Sequence, residues 1–139
     1  MARILSVDYG KKRCGLAVTD PLQIVPGGLG TVPTRSLMDF LREYTQKENV
    51  EKIVVGEPRQ LNGTASENKG RVDAFVDRVR KEFQAIEVVM YDERFTSVLA
   101  HRTMIDGGLK KKDRQNKALV DEISATIILE DYLNYIKRL

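Results

Sequence analysis

The chain has 139 residues, of which 42% are hydrophobic and 31% charged, a balance ordinary for a globular protein. Its formal net charge of +3 and pI near 9.0 permit contact with nucleic acid without requiring it. This length fits one domain with a real core and excludes two large lobes, and no apolar run approaches the ~20 residues of a membrane span.

No signal-peptide pattern opens the sequence, so the cytoplasm is the expected compartment. The single Cys14 can form no internal disulfide, and no cysteine–histidine cluster is present to hold zinc. Cys14 reads as a small core residue, and the one histidine, His101, lacks the positioned partner that histidine chemistry usually needs.

Two stretches near the N-terminus, Arg3 to Asp8 and Cys14 to Thr19, read as strands joined by a turn around Gly10 to Arg13. Asp8-x-Gly10 is ordinary turn chemistry, and it also sets a carboxylate where a strand leaves a sheet. A glycine at position 10 can take a positive φ and leaves room for a close approach. Ile24 to Val32, interrupted by Pro26, Gly27, Gly28 and Gly30, reads as an irregular edge. Ser36 opens a helix as its N-cap, with Asp39 in the capping-box position and Leu37, Phe40, Leu41 and Tyr44 on one face.

The run "KIVVGEP" is a buried strand stopped by Gly56 and Pro58, and the polar "RQLNGTASENKG" is a loop. A second helix carries Val72, Phe75, Val76, Val79 and Phe83 on one face. "IEVVMYD" is a further strand ending at Asp92-Glu93-Arg94. Thr96 or Ser97 caps a helix that stops at Gly107-Gly108, and a final helix covers about Gln115 to Lys137. Antiparallel strands first and βαβ crossovers later make a mixed sheet with helices on its faces. Right-handed crossovers set the two later strands beyond the first and parallel to it. Their C-terminal ends then share one edge, where open α/β sheets bind ligands.

That edge gathers acids. Asp8 ends the first strand, Glu57 the fourth, and Asp92 and Glu93 the fifth. Asp121 lies in the first turns of the final helix, on the face shared with Ser124, Ala125 and Ile128. Small Ala125 lets that face approach the sheet. Gathered carboxylates repel and raise one another's pKa, so such a cluster costs stability unless cations fill it. Oxygen ligands without sulfur or imidazole suit Mg²⁺ or Mn²⁺, as one ion or two. Two such ions ~4 Å apart support in-line attack on a phosphodiester, with no serine or histidine nucleophile. Basic residues flank the acids: Lys11, Lys12 and Arg13 on one side, and Lys110, Lys111, Lys112, Arg114 and Lys117 on the other. These runs are either solvated loops or a track for backbone phosphates.

The segments "DYGKKRCGLAVTD", "IVVGEPRQLNGT", "DERFTS" and "VDEISATIILEDYL" resemble the motifs of the YqgF (RuvX) family, in the family's order and over nearly the whole chain. The resemblance implies a ribonuclease H-like α/β fold, a mixed five-stranded sheet with helices on both faces, in a single domain over residues 1–139. It also implies a metal-dependent nuclease related to Holliday-junction resolvases and linked to maturation of pre-16S rRNA. By motif position it assigns Asp8, Glu93 and Asp121 as catalytic metal ligands. Gly10, Lys11, Lys12, Arg13, Arg94, Lys110, Lys111 and Lys112 are the expected contacts to a nucleic-acid partner, pre-rRNA or branched DNA. A monomer or weak homodimer with no membrane association is expected. One position departs from the pattern. Glu57 stands where the family usually has an apolar residue, so it could supplement or compete with Glu93.

Two other readings use the same residues. An Asp-x-Gly hairpin also resembles the phosphate loop of actin-like ATPases, but these need two lobes and a second glycine-rich turn. A non-catalytic RNA-binding adaptor on the same fold would gain nothing from three carboxylates at its binding face.

Overall fold

The computed structural model describes residues 2–57, 69–92 and 117–137. Five strands form one sheet: β1 (Arg3–Tyr9), β2 (Arg13–Thr19), β3 (Pro26–Pro33), β4 (Val50–Glu57) and β5 (Glu87–Asp92). Three helices accompany them, α1 (Leu37–Lys47), α2 (Lys69–Glu82) and α3 (Lys117–Lys137). The strand order is β3-β2-β1-β4-β5. β1 pairs antiparallel with β2 and parallel with β4, β2 pairs antiparallel with β3, and β4 pairs parallel with β5. The expected crossovers therefore form, and the C-terminal ends of β1, β4 and β5 share one edge.

Strand alternation sorts the side chains into two cores. Leu5 and Val7 of β1, Cys14 and Leu16 of β2, and Ile53 and Val55 of β4 pack with Leu37 and Leu41 of α1 and Val72, Phe75, Val76 and Val79 of α2. Ile4, Ala17 and Val54 turn the other way, to Ala125, Ile128, Leu129, Tyr132 and Leu133 of α3. Helices cover both faces, which is why β1 and β4 read as nearly continuous apolar runs. Cys14 is buried in the first core, as its sequence context suggests. Among the described residues no helix is long and apolar enough to cross a membrane.

Two local expectations need correction. β3 is a full eight-residue strand bounded by Pro26 and Pro33, not an irregular edge beginning at Ile24. Proline is tolerated because an edge strand has one unpaired side, and the irregularity is confined to a register shift between Leu16 and Ala17. Ile24 and Val25 belong to the preceding connection and are exposed. Ser36 precedes α1 but makes no side-chain capping bond. A 3-10 turn, Thr34–Ser36, runs directly into the helix, and the Leu37 N–H donates to the Thr34 carbonyl instead.

Candidate active site

The site forms where α3 begins to cross the C-terminal end of β1. Asp8 stands opposite Gly15 in the β1–β2 ladder. Cross-strand partners project from the same face, so a side chain on Gly15 would rise beside that of Asp8. It would run into backbone: a Cβ on Gly15 would overlap the Asp121 carbonyl and crowd the Glu122 nitrogen. Glycine at this position lets α3 sit directly on the ladder, and Asp8 and Asp121 become neighbours on one face of the sheet. One turn further along α3, the Ser6 hydroxyl donates to the Ala125 carbonyl at 2.6 Å, pinning the helix to β1. Farther on, the Lys52 ammonium donates to the Tyr132 hydroxyl at 2.7 Å.

Arg13, the first residue of β2, donates its Nε to Asp121 Oδ2 at 2.5 Å. The pair is half-buried, so this charge-assisted bond is screened less than a surface ion pair. Burial pushes the Cys14 thiol up, and the negative charges of Asp8 and Asp121 act in the same direction. Both carboxylates thus reach the same residue of β2 electrostatically. Tyr9 turns to the opposite face, as alternation requires, and stacks on Phe75 with ring centroids 4.9 Å apart.

Glu57 and Asp92 are the last residues of β4 and β5 and are paired in register. Glu93, Arg94, His101, Lys110, Lys111 and Lys112 lie outside the described residues, as does the helix expected after Thr96. Among the described residues no three acidic, histidine or cysteine side chains converge into a metal-binding group. The two donors at this strand end are both carboxylates, a chemistry that suits a hard divalent cation. Ser124, one turn along from Asp121, buries an Oγ that has no hydrogen-bond partner among the described residues.

Lys11 and Lys12 form the exposed tip of the β1–β2 hairpin. Gly10 is required there for space and not for a positive φ, since its backbone stays outside the left-handed region. A Cβ on Gly10 would overlap the Arg13 carbonyl, so the hairpin could not close as it does. Three features escape sequence reasoning. Gly15 reads as one small residue in an apolar strand, and Gly28 likewise gives no sign that the Glu122 side chain lies over it. The Arg13–Asp121 pair joins residues 108 positions apart, and no local pattern announces it.

A mixed sheet in the order 3-2-1-4-5, covered by helices on both faces with two carboxylates at its central strand end, is a ribonuclease H-like fold. A family model described as RuvX, Holliday junction resolvase, matches residues 2–135, and the chain belongs to that family. It is 63% identical over 133 residues to a protein of Phocaeicola vulgatus, with 96% of each chain covered. A protein of Bacteroides thetaiotaomicron is 59% identical over 133 residues, again covering 96% of both chains. One from Flavobacterium johnsoniae is 54% identical over 134 residues, covering 96% of this chain and 97% of that one. All three relatives carry the name "Putative pre-16S rRNA nuclease".

Proposed function

We propose that the chain is a divalent-metal-dependent nuclease that hydrolyses phosphodiester bonds in the 5′-end maturation of pre-16S rRNA, acting in the cytoplasm. The observation that carries this reading is the seating of Asp121 beside Asp8 through Gly15, which places an acid where an apolar residue would pack more cheaply. The names of its full-length relatives support the substrate. Asp8 and Asp121 would hold Mg²⁺ or Mn²⁺, with Glu93 as the third ligand. The chemistry supplied by one or two such ions, when held there, would be acidification of a water and neutralisation of charge on the scissile phosphate. Arg13 holds the Asp121 carboxylate in place, and the basic residues Lys11, Lys12, Arg94 and Lys110 to Lys112 bind flanking phosphates of the strand.

The family's description favours a second substrate, a four-way DNA junction. Paired cuts across a junction require a two-fold dimer, whereas trimming an rRNA end requires only one subunit. The test is cleavage of a defined pre-16S rRNA fragment and of a four-way junction, each with Mg²⁺, with Mn²⁺ and with EDTA, alongside sedimentation of the protein. Asp8→Asn, Glu93→Gln and Asp121→Asn should each lower cleavage at least ~100-fold while leaving the circular dichroism spectrum intact. Wild-type turnover by any of them removes that residue from the mechanism. Cleavage that persists in EDTA defeats the metal-dependent reading outright.

A further inference from the structure

The tip of the β1–β2 hairpin and the 3-10 turn after β3 border an open hollow of about 540 Å³, lined by Lys11, Lys12, Pro33, Thr34 and Arg35. Its two walls are tied together. The Thr34 N–H donates to the Lys12 carbonyl at 3.0 Å, and the Thr34 hydroxyl donates to the Gly10 carbonyl at 2.7 Å. Thr34 therefore commits both of its protons to holding the walls at a fixed spacing.

The hollow's charged lining is entirely cationic. Lys11, Lys12 and Arg35 are all exposed, and among the described residues none of them has an ion-pair partner. Arg3, Arg13 and Arg42, by contrast, each meet a carboxylate: Glu48, Asp121, and both Asp39 and Glu82. Three like charges gathered around one hollow raise its potential and draw an anion toward it. An arginine fork beside two ammonium groups suits the several oxygens of a phosphate better than a single carboxylate.

Position connects this hollow to the acids. Pro33 of its lining pairs with Arg13 in the β2–β3 ladder, and the Arg13 side chain reaches Asp121. A single residue of β2 thus separates the cationic hollow from the carboxylate pair, along the same end of the sheet.

We infer that this hollow is a phosphate subsite for the nucleic-acid strand, taking a backbone phosphate offset from the scissile one, with Arg35 as a substrate-binding residue. The inference rests on the nuclease reading and locates where that enzyme grips its substrate away from the cut. It contributes grip and register to binding, with no readout of base identity.

The test is fluorescence anisotropy of a labelled single-stranded RNA oligonucleotide in EDTA, titrated with protein over roughly 50 to 200 mM salt. The variant Lys11→Ala/Lys12→Ala/Arg35→Ala should bind about 10-fold more weakly at the low-salt end. Its plot of log affinity against log salt should flatten by about 2, the counterion release of three lost contacts on a single strand. A control variant, Lys47→Ala/Lys81→Ala/Lys137→Ala, removes equal charge from the helix ends at the opposite end of the sheet and should keep the wild-type slope. An unchanged slope in the first variant, or equal flattening in the control, overturns the subsite. Should the wild type bind no RNA at all, the nuclease reading and the subsite fall together. Should the wild type bind and then cleave with Mg²⁺, while the hollow variant matches it in both, only the subsite falls.

Discussion

At Asp121 a carboxylate and a guanidinium meet with 24% and 35% of their side chains exposed, so water screens them only in part. Sequence reasoning sees a cluster of acids and expects repulsion. The fold sets the Arg13 guanidinium against Asp121 and offsets part of that repulsion. The consequence for stability is a change of sign. Asp121→Asn should lower the stability of the metal-free protein by roughly 1 kcal/mol, because it leaves the Arg13 guanidinium half-buried without its anion. Pairing it with Arg13→Met should recover part of the loss. Urea denaturation in EDTA measures both. An Asp121→Asn variant more stable than wild type would mean that repulsion from Asp8 outweighs the pair.

The elements meet at places where side chains are missing. Gly15→Ala sets a methyl group against the Asp121 carbonyl, and relief requires moving either β2 or the whole first turns of α3. The expected cost is about 1–3 kcal/mol, the range for overpacking. Cleavage should fall further than the folded fraction, since any shift of α3 separates Asp8 from Asp121. The β2–β3 connection shows a different device. The Asp20 carboxylate accepts the N–H groups of Leu22 at 3.1 Å, Ile24 at 2.8 Å and Val25 at 2.8 Å. The bonds from Val25 and Ile24 do most to hold its pKa below the usual carboxylate value. Its folded pKa lies under its unfolded one, so its contribution is full above about pH 4 and vanishes as pH falls through the lowered value. The stability gap between wild type and Asp20→Asn, followed by urea midpoint, should therefore narrow on acidification below about pH 4. This loop was not legible as a built structure: "DPLQIVPGG" reads as breakers and apolar residues, whereas the three bonds to one carboxylate and the backbone bonds between Asp20, Gln23 and Val25 order it. The strands and amphipathic helices were legible because burial on one or both faces writes itself into the hydrophobic period. The seating of α3 was not, because what permits it is the absence of a side chain on a different element.

Across the whole molecule, the topology could be read from chirality and strand order, whereas the contacts that fasten α3 to the sheet could not. Ser6 and Ala125 are 119 positions apart, and Arg13 and Asp121 are 108 apart. The face covered by α1 and α2 is built largely from segments that follow one another along the chain, whereas the opposite face waits for a helix from its far end. Bringing that helix home closes a long loop, a step that is entropically dear and kinetically slow. This imposes an order in time. A chain emerging from synthesis can pair its strands and cover one side of the sheet while Asp121 is still far from Asp8. Until α3 arrives, the two carboxylates belong to different parts of an unfinished molecule and form no common site. The candidate site is thereby among the last features of the fold to be assembled.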